Sequence, residues 1–98
     1  MTKLDSTIRI AKNVIWREIE GEAVLLDLDN GLYYGLDEMG LQMWSLLEEH
    51  GDRRAVVSRL VEDYEVSADR CEGDLNQFLE TLAKHGLVEV GNREAKSE

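Results

Sequence analysis

Asn30-Gly31 lies between two runs of apolar and β-branched residues, and it constrains the fold of this 98-residue chain more than any other feature. Both central residues of a type I′ turn need a positive φ, which asparagine and glycine adopt most readily. The pair therefore predicts a tight hairpin that joins a strand at residues 22–28 to a strand at Leu32–Leu36. Glu20-Gly21 predicts a second two-residue turn, which joins residues 22–28 to the preceding strand, Val14–Ile19.

The two turns also predict which residues share a side of the sheet, because the side chains of a strand alternate between its faces. With two-residue loops, one face carries Trp16, Leu25, Leu32, Tyr34 and Leu36. The other face carries Ile15, Ile19, Val24, Leu26, Leu28 and Tyr33. Both faces are largely apolar, whereas a sheet with one solvated face needs only one apolar face.

Three helices are predicted after the sheet. Asp37, Asp52 and Ser67 are suitable N-caps, because each side chain can accept a hydrogen bond from the first helical turn. Apolar residues then recur at helical spacing, and Gly51 and Gly86 end the first and third helices. The apolar stripes are Met39, Met43, Leu46 and Leu47 in the first helix, Val56, Val57, Leu60, Val61 and Tyr64 in the second, and Cys71, Leu75, Phe78, Leu79 and Leu82 in the third.

The order of these elements predicts an α+β fold, with an N-terminal three-stranded antiparallel sheet followed by a three-helix bundle. This arrangement is close to a winged helix-turn-helix domain with the sheet placed first. The length allows one domain, which we place at residues 8–90, with a short extended segment at residues 87–90. Residues 1–7 and 91–98 are predominantly polar and are expected to form flexible termini.

Composition and the lack of targeting signals predict a cytoplasmic protein. The chain has 43% hydrophobic and 33% charged residues, as is typical of a globular domain. No apolar run is long enough for a transmembrane helix, and residues 1–7 contain no apolar stretch of the signal-peptide type. The single cysteine, Cys71, cannot form an internal disulfide and suits a reducing compartment.

The net charge of −10 argues against nucleic-acid and membrane-surface partners, because phosphate backbones and anionic lipids would repel the chain. In a winged-helix DNA reader the third helix would be the recognition helix, and here it is acidic. It carries Asp69, Glu72, Asp74 and Glu80 against Arg70 and Lys84. Such a surface lacks the cluster of basic residues that phosphate contacts require.

Catalysis is not expected, because a catalytic site needs a nucleophile, a base and an orienting group in one pocket. Cys71 falls on an apolar helical stripe, where a free cysteine usually acts as a small hydrophobic residue. His50 and His85 lie near helix C-termini, where the helix dipole favours a partly cationic imidazole. No His-x-x-x-His or paired-cysteine pattern predicts a metal site, and no glycine-rich loop predicts a phosphate site. We therefore expect no catalytic residue, metal or cofactor.

Several pieces of the sequence, taken in order, resemble the PqqD-like family. They are Gly21-Glu22-Ala23-Val24-Leu25-Leu26-Asp27, Asn30-Gly31-Leu32-Tyr33-Tyr34-Gly35-Leu36, the stretch from Gly40 to Trp44-Ser45-Leu46-Leu47, and the ending from Asp74-Leu75 through Phe78-Leu79 to Gly86-Leu87-Val88. The resemblance covers about residues 8–90. The family commonly has Leu-Asn where this chain has Leu36-Asp37, and aspartate caps a helix as well as asparagine does.

The PqqD-like family contains the pyrroloquinoline-quinone biosynthesis protein D and the precursor-recognition elements of many ribosomal-peptide pathways. The resemblance implies a non-catalytic domain that binds the leader segment of a precursor peptide and presents the core segment to a modifying enzyme. That enzyme would be of the radical SAM type or of a cyclase or protease type. The alternative is a winged-helix-type protein-interaction or regulatory domain.

The predicted binding site is the third strand, Leu32–Leu36, because it is the edge of a three-strand meander. An edge strand presents unpaired N–H and C=O groups to which an extended peptide can bind, and no lysine or proline blocks this one. In the family's known mode, the leader is added as a strand beside the third strand and over the third helix. The predicted site residues are Leu32, Tyr33, Tyr34, Gly35 and Leu36 of the strand and Asp74, Leu75, Phe78 and Leu82 of the helix. The same open edge also allows self-association into a homodimer.

Overall fold

Four strands precede the three helices and a fifth follows them in the computed structural model, which describes residues 7–91. The strands are β1 (Thr7–Ile10), β2 (Val14–Ile19), β3 (Glu22–Asp27), β4 (Leu32–Leu36) and β5 (Val88–Gly91), and the helices are α1 (Glu38–His50), α2 (Arg53–Tyr64) and α3 (Ala68–Lys84). The predicted α+β fold with three helices and antiparallel pairing is confirmed. The predicted single sheet is incomplete, because β1 and β5 form a second sheet of two strands.

The strands β2, β3 and β4 form the predicted antiparallel meander, with β3 in the centre. Trp16 pairs with Leu25, and Leu25 pairs with Tyr34. The turn at Glu20-Gly21 is confirmed as a two-residue loop, since both residues have a positive φ, of 53° and 82°. This combination of φ angles matches the right-handed twist of the two flanking strands.

The second loop differs from the predicted two-residue turn at Asn30-Gly31. Asp27 pairs with Leu32, so the loop contains four residues, of which only Gly31 has a positive φ, of 74°. The buried carboxylate of Asp27 accepts a hydrogen bond from Asn13 Nδ2 at 2.7 Å, and its carbonyl accepts one from the Gly31 N–H at 2.8 Å. These bonds stabilise the wider loop. Relative to a two-residue loop, the pairing between β3 and β4 is shifted by an even number of residues. Because side chains alternate between the faces of a strand, each side chain stays on its predicted face.

The inner face of the meander packs against the helices and forms the core. Ala23 and Leu25 have no exposed surface, and Trp16 contacts Trp44 of α1 edge to face, with ring centroids 6.3 Å apart. Edge-to-face contact is a favoured geometry for two aromatic rings. The outer face is largely open to solvent.

The helices begin where the sequence predicts, with Asp37, Asp52 and Ser67 each accepting a hydrogen bond from a first-turn N–H. Most residues of the predicted apolar stripes are buried. Met39 and Tyr64 are exceptions, with exposed fractions of 42% and 41%. Both lie at the margin of the helix bundle, where cavities open to solvent. Within residues 7–91, no helix combines the length and the hydropathy that crossing a membrane requires.

The second sheet brings the two ends of the described chain together. Thr7 faces Gly91 and Ile8 faces Val90, while Ile8 itself is buried. The sequence did not predict β1, because four residues are too short a run for a pattern, and it predicted β5 only as an extended segment. The flexible termini expected at residues 1–7 and 91–98 lie outside the described residues, apart from Thr7 and Gly91.

Candidate functional site

The outer edge of β4 is open. One side of this strand pairs with β3, and no described residue supplies a backbone partner for the other side. The side-chain oxygen of Asn30 accepts a hydrogen bond from the Leu32 N–H at 2.9 Å, at the beginning of the strand. Beyond that point, the outward N–H and C=O groups of β4 are available to an extended chain.

A groove separates the end of β4 from α3, and the N-terminal half of α1 closes one side of it. It encloses about 530 Å³. The lining residues are Gly35, Leu36 and Asp37 at the end of β4, Met39, Gly40 and Met43 of α1, and Asp74, Gln77, Phe78, Thr81 and Leu82 of α3. The edge of β4 and the groove therefore adjoin each other.

The contact between β4 and α1 depends on Gly40. This residue is buried in the first turn of α1, and a Cβ placed on it would lie 2.9 Å from the Leu36 Cβ. The Asp37 carboxylate accepts a hydrogen bond from the Gly40 N–H at 2.9 Å, which begins the helix directly after the strand. The absence of a side chain at Gly40 thus allows α1 to lie against the end of β4.

Five of the nine predicted site residues lie together around the groove. Gly35 and Leu36 come from β4, and Asp74, Phe78 and Leu82 come from α3. Phe78 is half-buried and packs against the core, and Leu82 is 3% exposed, so it forms part of the floor. The spacing of these α3 residues at intervals of four is what places them on one face of the helix.

The other four predicted residues lie elsewhere. Leu75 has no exposed surface, so it supports the groove from within the core. The Tyr34 ring is half-buried and lies 5.2 Å from the His85 ring, beyond the end of α3. Leu32 and Tyr33 are 53% and 69% exposed, and Tyr33 faces the outer side of the sheet. There it adjoins Ile15, Ile19, Val24 and Leu26.

The contribution of α1 to this site was not predicted from the sequence. Helical spacing places Met39 and Met43 on the apolar stripe of α1, and both line the groove. Met43 is a buried core residue, as the spacing predicts, whereas Met39 is exposed. Gln77 and Thr81 were missed because they flank Phe78 on the polar margin of the α3 stripe. Met39 is 42% exposed because of how α1 packs against β4. Helical periodicity does not predict this packing, so it could not show that Met39 is exposed.

The charged residues that line the groove are Asp37 and Asp74, and both are acidic. Asp37 caps α1, whereas Asp74 is exposed, and its carboxylate forms no hydrogen bond or ion pair with any residue in the described part of the chain. The groove therefore favours a peptide that places a positive charge near Asp74.

Cys71 lies one helical turn before Asp74 and is 4% exposed. Burial raises the pKa of its thiol, and the nearby carboxylates of Asp74 and Glu72 raise it further. A neutral, buried thiol is a poor nucleophile. Among residues 7–91, no group of three or more His, Cys, Asp and Glu side chains is arranged to hold a metal ion.

Comparison with known proteins gives one family and two solved structures. Residues 22–88 match the family model described as Coenzyme PQQ synthesis protein D (PqqD). The structure of TbiB1 in complex with the TbiA(beta) leader peptide is similar, with 40% sequence identity and a TM-score of 0.79 over 83% of this chain and 94% of the other. The structure of lasso peptide synthetase B1 complexed with the leader peptide has 22% identity and a TM-score of 0.77, over 85% and 98%. No curated protein matches.

Proposed function

The chain belongs to the PqqD family, and on that premise we propose that it binds the leader segment of a ribosomally made precursor peptide and presents the precursor to a modifying enzyme. The leader binds by β-strand addition to the outer edge of β4. Its side chains on one face enter the groove between β4 and α3.

The open edge of β4 beside the groove is the observation that carries this proposal. An extended peptide on that edge would satisfy the outward backbone groups and would hold alternate side chains over the groove. TbiB1 supports the same conclusion, since it is 40% identical and is solved with a leader peptide bound. The lasso peptide synthetase B1, at 22% identity, supports the fold alone.

Micromolar binding of a leader requires both backbone pairing at β4 and side-chain contacts in the groove. Four or five main-chain hydrogen bonds at about 0.5–1.5 kcal/mol each contribute only a few kcal/mol. Micromolar affinity corresponds to about −8 kcal/mol, and ordering the peptide opposes binding. The remainder must come from apolar side chains in the groove. Phe78 and Leu36 supply apolar surface there, and Asp74 supplies the charge for a basic residue of the leader.

We infer that the domain itself is non-catalytic. Its one thiol is buried and neutral, and the rings of His50 and His85 do not line the groove. The chemistry would then belong to a partner enzyme, of the radical SAM type or of a cyclase or protease type, in the cytoplasm. A second copy of the chain is a competing occupant of the β4 edge. The alternative function, a winged-helix-type regulatory domain, is not favoured. We keep the likeness of the helices to a winged helix-turn-helix domain as part of the proposed fold.

A peptide selection tests the proposal and does not require the precursor to be identified. An mRNA-displayed library of random 20-residue peptides is selected on the full-length protein, and the TbiA(beta) leader peptide is added as a defined probe. The tightest peptide recovered, here called the selected peptide, is labelled and titrated by fluorescence anisotropy. We expect a Kd of about 10 μM or lower, corresponding to roughly −7 kcal/mol. Phe78→Ala should weaken binding, whereas Ile15→Ala on the opposite face of the sheet should not. Recovery of no peptide, or of peptides that respond only to Ile15→Ala, contradicts the proposal.

A further inference from the structure

A second cavity, which we call the end pocket, opens where α1 meets the end of α2 and the beginning of α3. It shares Met39, Met43 and Asp74 with the groove, so the two cavities adjoin each other. A peptide that follows the groove toward the N-terminal end of α3 reaches this pocket next.

The interior of the end pocket is apolar. Leu60 and Cys71 are buried at its floor, with exposed fractions of 2% and 4%. Tyr64 and Val66 form a wall and are 41% and 38% exposed. The raised pKa of the Cys71 thiol keeps that group neutral at physiological pH. Burying another apolar group against these exposed side chains would remove their apolar surface from water, which is favourable.

The charged side chains of the end pocket lie at its mouth. They are Arg70 and Asp74, which are exposed and four residues apart on α3. Although this spacing suits an ion pair, they form none in the structure. The floor therefore contains no charge that a bound apolar side chain would have to desolvate.

The size of the end pocket decides which apolar group fits. It encloses about 60 Å³, whereas a cavity of about 150 Å³ is what accommodates benzene. A whole aromatic ring therefore cannot be buried in this pocket, whereas the branched end of a valine, isoleucine or leucine side chain can.

We propose that the end pocket binds one aliphatic side chain of the same leader peptide that lies along β4, and that it thereby selects which leaders the protein accepts. The inference rests on the proposed function, because the leader backbone must first occupy the groove. Beyond the proposed function, the inference specifies that one leader residue is aliphatic. It also identifies Tyr64 and Val66, which lie outside the groove, as the residues that select it.

The test uses the selected peptide and two valine variants. Val66→Ser removes apolar surface from the wall of the end pocket, and Val66 is partly exposed between two helices, so the fold should tolerate it. Val90→Ser is the matched control, since Val90 is 48% exposed and lines neither the groove nor the end pocket. Each residue of the selected peptide is replaced in turn by alanine, and any aliphatic position that responds is also replaced by tryptophan. Anisotropy titrations then give Kd for every pair, and thermal unfolding confirms that each variant is folded.

We expect one aliphatic residue of the peptide whose replacement by alanine raises the Kd for the wild type about fivefold or more, as loss of a buried aliphatic group does. On Val66→Ser the same replacement should change Kd by less than about twofold, because the two groups act together. Tryptophan at that position should also weaken binding to the wild type, and Val90→Ser should behave as the wild type.

If Phe78→Ala abolishes binding while Val66→Ser leaves every Kd unchanged, the peptide occupies the groove and the end pocket plays no part. That result overturns this inference and leaves the proposed function intact. A responding position that prefers tryptophan to leucine would also overturn it. If no peptide binds, the proposed function fails, and the inference fails with it.

Discussion

Gly40 lies so close to Leu36 that a Cβ on the glycine would stand 2.9 Å from the Leu36 Cβ. The contact joins the first turn of α1 to the last residue of β4, at the point where the edge strand meets the groove. The position of Leu36 in the groove therefore depends on a residue with no side chain in the neighbouring helix.

Gly40→Ala should destabilise the protein, because real Cβ atoms do not approach as closely as 2.9 Å and the strand end must move. Overpacking of this kind costs about 1–3 kcal/mol, which equals or exceeds the gain in helix propensity of roughly 1 kcal/mol. Urea unfolding measures the difference. Gly73→Ala is the control, since Gly73 lies in α3, where an added Cβ would meet no packed neighbour within 4 Å, and this variant should gain stability. Equal gains at both positions would contradict the account of this contact.

Phe78→Ala and Leu75→Ala should separate binding from stability. Leu75 has no exposed surface, and its truncation should lower the free energy of unfolding by about 2–5 kcal/mol. Phe78 is half-buried on the groove, and its truncation should weaken peptide binding by about 1 kcal/mol or more. Urea unfolding and anisotropy titration of both variants give the two quantities. If the Phe78→Ala protein binds the selected peptide as tightly as the wild type, the Phe78 ring does not contribute to the binding site.

Cys71 should affect stability at alkaline pH. Its pKa is raised in the folded protein, so the thiol favours folding at pH values below the ordinary cysteine pKa of about 8.5. That contribution is lost as the pH rises through the folded-state pKa. The stability difference between the wild type and Cys71→Ala should therefore shrink between neutral pH and pH 10, as followed by urea unfolding. A constant difference would show that the thiol does not titrate differently on folding, and a loss of precursor processing beyond the loss of stability would indicate a catalytic thiol.

Tyr33→Pro and Tyr34→Pro should affect different properties, one the stability of the fold and the other peptide binding. The reason is that consecutive N–H groups of a strand point in opposite directions. One of the two N–H groups bonds to β3, and its loss should destabilise the fold. The other points outward, and its loss should weaken binding of the selected peptide while the fold survives. Unfolding midpoints and Kd values for both variants decide the assignment. Unchanged affinity in the variant that remains folded would speak against backbone pairing at β4.

The sequence predicted the elements whose signals are local. The helix caps at Asp37, Asp52 and Ser67 and the turn at Glu20-Gly21 appear as expected, because a cap or a tight turn depends on a few adjacent residues. The predicted length of the loop at Asn30-Gly31 was wrong. The wider loop is stabilised by a bond between Asn13 and Asp27, which are distant in the sequence, so adjacent residues carry no signal for it.

The candidate site was predictable in part for the same reason. Strand edge and helix periodicity place Leu36, Asp74 and Phe78 near one another, and the structure brings them together in the groove. The roles of Met39 and Leu75 were not predictable, because the same apolar stripe contains buried and exposed residues. Which residue of a stripe is exposed depends on the tertiary packing of α1 against β4 and α3.

Hydrogen exchange of the β4 amides, measured by NMR with and without the selected peptide, tests strand addition most directly. Beyond Leu32, whose N–H already bonds to Asn30, alternate amides of residues 33–36 point outward in the free protein. Pairing with an added strand should slow the exchange of these outward amides by about tenfold or more, since an opening of the paired strand is then required. The amides already bonded to β3 and those of β1 and β5 should change far less. If the protein is saturated with peptide and the outward amides of β4 exchange as fast as before, the peptide does not bind as an added strand.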